Sequence, residues 1–307
     1  MARLKIFILL LLVPLLMNSC KWFDKTYKGY GVIMIKHASL KSDSTQSDSA
    51  EVINFTNGYS NKFELNDAVS LGSEVYSESM NAFGYESVDL GYHFVDFDGK
   101  EVLDVDLPYN LMEGRLDDNK DLLIGLINDP ALNVSTVVAY DYKKGEEVLR
   151  YELNSLYSVS LCSSAYSPDS SIYYFFSDSA LIAVNIENGN VKEYKVNYHP
   201  VLVVYDHKSD NLVLLVNIIG DSVLTNLTVM RVDPYTGEII SSAETDINVV
   251  AVCATGYDYD KDALVVYTLG YTDGKETGII KFIDANSGET IEDYEVGDAD
   301  RVVFWRD

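Results

Sequence analysis

Asp258, Asp260 and Asp262 alternate along one short stretch, a spacing at which carboxylate oxygens can meet on a hard cation such as calcium. The stretch lacks the Gly and the later Glu of a helical calcium loop, so a solvated hairpin turn is the competing reading. His37, His93, His199 and His207 are scattered, with no His-x-x-x-His or Cys/His spacing to support a catalytic zinc. Cys162 and Cys253 close two similar stretches, Val159-Ser-Leu-Cys and Val250-Ala-Val-Cys, and no His stands near either in sequence. Both are expected as buried thiols acting as small apolar residues. The chain holds 48 Asp and Glu, so carboxylate pairs for glycoside hydrolysis can be drawn in many ways, and none stands out. Recognition chemistry has better candidates. Tyr109, Tyr157, Tyr198, His199 and Arg301 fall in segments that lead into strand-like runs, and amphipathic aromatics can stack on a sugar or clasp a peptide at little entropy cost. Tyrosine is also simply abundant, 23 in all, as strand-rich chains favour it.

The elements that position these residues must be built from a chain of 307 residues, 47% hydrophobic and 23% charged, which is enough apolar material for a large core. Lys and Arg number 23, so the formal net charge is -25, and phosphate backbones would repel it. Nucleic acid is excluded as an expected partner. Three Cys cannot staple a disulfide scaffold, so the fold must stand on packing.

Arg3 and Lys5 precede twelve nearly unbroken aliphatic positions, Ile6 to Met17, too few to span a hydrocarbon core that needs about 20. Residues 1–19 therefore read as a secretory signal. The stretch Leu16-Met17-Asn18-Ser19-Cys20 resembles the lipobox of bacterial lipoproteins, although Met17 and Asn18 depart from its strict pattern. The resemblance implies acylation at Cys20, palmitate included, and a short tether over residues 20–29. Two or three acyl chains hold a protein on a bilayer without a transmembrane helix.

The remainder, residues 30–307, repeats. A turn of the form Asn/Asp-x-x-x-Gly follows a hydrophobic run at Asn54, Asp141, Asn185, Asp233 and Asp284, with a shortened version at Asp96 to Gly99. Asn or Asp opens such a turn through its side chain, and Gly supplies the positive φ. A second marker is a polar turn before a β-rich run, at Asp117 to Asp121, Ser167 to Ser171, Asp206 to Asp210 and Asp258 to Asp262. Four strands per 40 to 50 residues is the pattern of β-propeller blades. Five complete blades are expected at 67–107, 108–153, 154–196, 197–246 and 247–296. A sixth is expected from both ends, with Arg301 to Arg306 innermost beside Tyr30 to His37, Glu51 to Thr56 and Lys62 to Leu65. The fold class is thus all-β, a six-bladed propeller closed by its termini; seven blades would need strands the chain lacks. Ser39 to Ala50, rich in Ser and Asp, is expected as a loop. Asp43, Asp48, Asp178 and Asp221 each open an Asp-Ser/Thr pattern of the sort some bacteria O-glycosylate.

The Ser167-Pro-Asp-Ser-Ser171 turn, the Asp-x-x-x-Gly-Glu turn and the lipobox together resemble bacterial propeller lipoproteins with TolB-like, YVTN-type or quinoprotein-like repeats. Quinoproteins carry Trp after the Gly of each repeat, whereas this chain has Val148, Val191, Ile239 and Ile291 there, so no quinone cofactor is expected. The resemblance implies a lipid-anchored protein of the bacterial cell envelope, on the outer membrane. Its propeller would bind or scaffold a protein, peptide or glycan. An envelope hydrolase with carboxylates at the channel mouth is the alternative.

Overall fold

The computed structural model describes residues 27–38, 47–70, 72–89, 91–177, 180–217, 226–247, 254–272 and 275–307. Cys20, Trp22 and Cys253 lie outside them, as do the signal segment and the Asp-Ser/Thr patterns at Asp43, Asp178 and Asp221. Among the described residues the chain is strand and turn with no helix, and it forms six antiparallel blades.

Blade 1 is Val75–Ser77, Ala82–Ser87, Gly91–Val95 and Glu101–Val105, innermost strand first. Blade 2 is Met112–Asp117, Leu122–Asp129, Val134–Asp141 and Glu146–Glu152. Blade 3 is Val159–Ser167, Ile172–Ser177, Ala180–Asn185 and Val191–Lys195, and blade 4 is His199–Asp206, Asn211–Asn217, Thr228–Val232 and Ile239–Glu244. Blade 5 is Tyr257–Asp258, Ala263–Thr272, Lys275–Asp284 and Thr290–Val296. Blade 6 closes the ring: Arg301–Arg306 is innermost and pairs antiparallel with Tyr30–Lys36, then come Ser49–Asn54 and Ser60–Glu64. Its register sets Trp305 against Gly31 and Val303 against Ile33.

Both turn markers work as local chemistry predicts. In the Asn/Asp-x-x-x-Gly turns the Gly N–H donates to the carbonyl of the leading residue at 2.8–2.9 Å, and the Gly φ values lie between +70° and +77°. At the second marker the leading side chain accepts backbone N–H groups two or three residues on, as Asp117 does from Asn119 and Lys120. The fifth residue then turns left-handed, at Asp121, Ser171, Asp210 and Asp262, with φ between +54° and +58°. Blade 1 carries a fifth copy, Ser77 to Asn81, that the sequence pattern does not disclose, because Met80 interrupts its polarity.

The core is a ring of seams between neighbouring blades. One seam packs Ile33, Ile35, Val52, Val303 and Trp305 of blade 6 on Phe83, Tyr85 and Val95 of blade 1. Another sets Tyr174, Phe176 and Leu181 of blade 3 on Val203, Leu212 and Leu214 of blade 4. Each blade thus buries both faces, which is why most of its middle strands read as largely apolar runs while the outermost strands alternate.

The innermost strand of blade 5 is described at Tyr257–Asp258, and Val250–Cys253 lies outside the described residues. Ahead of Tyr257–Asp258, Ala254–Thr255 pairs parallel with Arg301–Arg306, tying blade 5 to the closing strand. One expectation needs correction. Ser49 and Ala50 are strand, not loop. Asp48 anchors them: it is buried and accepts the N–H groups of Ala38 and Val69 at 2.8 Å each, so the Asp48-Ser49 pattern is built into the fold.

Candidate functional site

The innermost strands surround a channel, and where they end the channel widens into a cavity of about 620 Å³. Every blade contributes to its wall, among others through Tyr76, Asp118, Tyr166, Tyr205, Tyr259 and Arg306. Each of these residues lies within one position of the end of its inner strand, so the polar turns form the rim. Gly256 lets the wall close: a Cβ there would stand 2.2 Å from the Cβ of Phe304.

The rim is strongly anionic. Glu78, Asp118 and Asp307 line it, and among the described residues none of the three is in an ion pair. Asp118 accepts from Ser77 Oγ at 2.7 Å, the Glu78 N–H at 2.9 Å and Ser79 Oγ at 3.1 Å, all neutral donors that leave its charge in place. The two lining arginines are already engaged. Arg306 binds Asp260 and, at 2.6 Å, Asp258. Arg115 donates to the carbonyls of Ser164 (2.9 Å) and Gly114 (2.6 Å) and reaches Glu113 at 3.3 Å. Burial holds the hydroxyls of Tyr76, Tyr166, Tyr205 and Tyr257 protonated well above the ordinary tyrosine range, and pushes Tyr259 up to about 12. These rings are neutral, amphipathic walls at any physiological pH.

Deeper in, three glutamates stand together. Glu74 lines the cavity; its side chain is only 8% exposed, Oε2 accepts the Gly72 N–H at 3.1 Å, and Oε1 has no hydrogen-bond partner. Glu86 is fully buried, accepts the Leu111 N–H at 2.7 Å through Oε1, and leaves Oε2 unpartnered. Glu113 is buried with a left-handed φ of +55° at a bulge in its strand, and accepts the Cys162 N–H at 2.7 Å. Burial raises the Glu113 carboxyl and pushes Glu86 up to about 7, with the nearby Glu74 charge adding to both. Sequence reasoning missed all three. Only two of them leave a trace in the sequence: Ser73-Glu74 and Glu113-Gly114-Arg115 put charge where the inner strands of blades 3 and 4 are apolar or small, and nothing there reports their burial.

The recognition candidates Tyr109, Tyr157, Tyr198, His199 and Arg301, which stand where the inner strands begin, are not brought together. Tyr109 donates to Glu147 (3.1 Å) on the outermost strand of blade 2, with Arg150 over its ring. Tyr157 packs edge-on against Phe175 and reaches Glu193 on the outermost strand of blade 3. Tyr198 is buried against Phe176 and reaches the Gly237 carbonyl at 3.4 Å, beside the outermost strand of blade 4. All three lie where the chain crosses between blades, and their rings add apolar area to the seam while the hydroxyls reach its polar edge. His199 is exposed at its strand start, and Arg301 is buried, its Nε 3.7 Å from Glu74.

The aspartate trio is drawn to guanidinium groups. Asp258 and Asp260 hold Arg306, and Asp262 binds Arg231 and the Asn286 amide at 2.7 Å. Among the described residues no group of three or more His, Cys, Asp or Glu side chains is disposed to hold a metal ion. The four histidines are apart: His37 meets Asp48 at 2.8 Å, His93 sits between Asp67 and Asp104, and His207 packs on Tyr259. No described helix is long and apolar enough to cross a membrane.

No protein-family model matches the sequence, and no curated protein matches it. Solved structures do resemble the fold. TolB from Acinetobacter baumannii superposes with a TM-score of 0.60 at 12% identity, over 90% of this chain and 66% of that one. A protein of unknown function from Bacteroides caccae gives 0.57 at 13% identity, over 90% and 99% of the two chains. Hydrazine synthase from Kuenenia stuttgartiensis gives 0.50 at 14%, over 74% and 65%. This chain therefore spans just under two thirds of the TolB chain and nearly all of the Bacteroides one. The likeness at such identities is one of fold, and the chain is a six-bladed β-propeller with TolB among its structural neighbours.

Proposed function

We propose that this chain is a lipid-anchored protein of the bacterial cell envelope, held by Cys20, and that its propeller binds a segment of a partner protein at the mouth where the inner strands end. The observation that carries the binding reading is the convergence of all six blades on one cavity of about 620 Å³, within the range of ligand sites, walled by neutral tyrosines and rimmed by unpaired carboxylates. Tyrosine supplies large contact area at small entropy cost. The anchor is supported by the sequence around Cys20. Cys20→Ser should abolish incorporation of labelled palmitate and release the protein from membranes; continued labelling would sink the anchor.

The binding reading is tested by selecting peptides from a displayed random library on the full chain, then measuring them against Tyr76→Ala and Tyr259→Ala. Loss of such an aromatic anchor costs about 1–2 kcal/mol or more, so affinities should fall about tenfold or further, while Leu132→Ala on an exposed turn changes nothing. Peptides indifferent to both tyrosines contradict the placement. Turnover of a selected peptide or of a glycan would instead establish a hydrolase.

A further inference from the structure

We propose that the strand-end mouth opens toward the membrane that carries the anchor, and that its occupant is a membrane-proximal segment of a protein embedded in that same membrane. This rests on the two readings above, acylation at Cys20 and binding at this mouth.

The root of the tether stands at the edge of this mouth. Tyr30, the first residue of its strand, lies opposite Arg306, the last of the closing inner strand. One step earlier, the Gly29 carbonyl accepts the Asp307 N–H at 2.9 Å, and Asp307 lines the cavity. Tyr27 is pinned at the same end of the propeller: its hydroxyl donates to Asp98, in the Asp96 to Gly99 turn of blade 1, and its ring meets Phe97 edge-on at 4.9 Å. Phe97 in turn lies 6.0 Å from Tyr76, a lining residue, so two ring contacts join the root of the tether to the mouth wall. From Cys20 to Tyr27 the chain takes seven steps of at most about 3.6 Å, which puts the acylated residue within about 25 Å of Tyr27. The opposite mouth is about as far away along the strands, since eight residues such as Leu122–Asp129 rise about 25 Å. To turn the strand-end mouth away from the bilayer, the tether would have to use its whole reach along the side of the propeller. A mouth held toward the bilayer meets what emerges from the lipid surface. Bare anionic lipid is a poor occupant, because Glu78, Asp118 and Asp307 at the rim repel it. A segment of a protein fixed in the same membrane fits, since shared attachment raises effective concentration wherever the geometry lets the two partners meet.

Phosphatidylcholine vesicles carrying the full acylated chain test the orientation. A coumarin amino acid in place of Asn119, exposed on the rim turn of blade 2, should lose more emission to a headgroup-rhodamine lipid than one in place of Leu156, exposed at the other end of that blade. Inserting about 40 Gly/Ser residues between Thr26 and Tyr27 adds a span of about 35 Å and should abolish the difference. Equal loss at the two positions without the insert overturns the orientation, whereas a chain that leaves the vesicles on washing overturns the anchor instead. The partner is tested with a peptide selected on the chain and sensitive to Tyr76→Ala, lipid-anchored in the same vesicles through a Gly/Ser linker of about 5 or about 40 residues. Displacing the short-linked peptide should take about 100-fold more free competitor than displacing an unanchored one. Displacement resisted only with the long linker contradicts a mouth that faces the bilayer, and no gain with either linker overturns the shared-membrane partner. A library yielding no peptide sensitive to Tyr76 overturns the mouth reading beneath it. Cys20→Ser protein that binds bare phosphatidylglycerol vesicles through Tyr76 would make lipid the occupant.

Discussion

Removal of residues 300–307 should leave the protein unfolded or aggregated under conditions where the intact chain is folded. Arg301–Arg306 is the innermost strand of blade 6, bonded along its length to Tyr30–Lys36 and, through Ala254–Thr255, to the approach of blade 5. Its loss would open a strand edge along the channel. Two seams would also lose their contents: Trp305, fully buried, packs with Ile33, Phe83 and Phe97, and Phe304 with Phe282 and Val32. Truncating one such aromatic in a core costs about 3–5 kcal/mol, against a typical total of about 5–15 kcal/mol. Arg306 would also leave Asp258, a fully buried carboxylate, without its guanidinium. Circular dichroism and gel filtration of the truncated chain decide the matter. A monomer with an unchanged melting temperature would mean that the termini do not close the ring.

Glu86→Gln should stabilise the protein at pH 8 and leave it unchanged near pH 4.5. Below pH 4.5 the folded and unfolded chains both hold the Glu86 proton, and the residue is neutral to stability. Between 4.5 and about 7 the unfolded chain releases that proton while the folded chain keeps it, so stability falls as pH rises. Above about 7 the loss is complete, up to about 3 kcal/mol at 1.36 kcal/mol per pH unit. Glutamine keeps the acceptor for the Leu111 N–H and removes the buried charge. Urea unfolding of both proteins across this range should give curves that meet at acid pH and separate toward alkaline pH. A constant gap, or a variant that is weaker at pH 8, would show that Glu86 is not held protonated.

The blades were legible because their turns are chemically particular. An Asn or Asp side chain accepting an N–H two residues on, and a Gly at positive φ, leave a mark that recurs wherever the hairpin recurs. Ring closure was legible by counting, since one strand at the carboxyl end and three at the amino end complete a blade. The site was not. Which way Tyr109, Tyr157 and Tyr198 turn depends on the outer strand of the next blade, and no periodicity within a crossing segment reports that. The burial of Glu74, Glu86 and Glu113 likewise depends on how inner strands converge around the axis, tens to hundreds of residues apart in sequence. Glu113 and Cys162 also sit at left-handed bulges, where the alternation that tells one strand face from the other breaks down.

Recognition where the inner strands end should be visible in hydrogen exchange of the full chain with and without a saturating selected peptide. Exchange should slow in segments drawn from all six blades, 76–78, 116–118, 166–167, 204–206, 257–260 and 303–307. Protection confined to 109–113, 156–162 and 198–201, where the strands begin, or to the outermost strands, would contradict it.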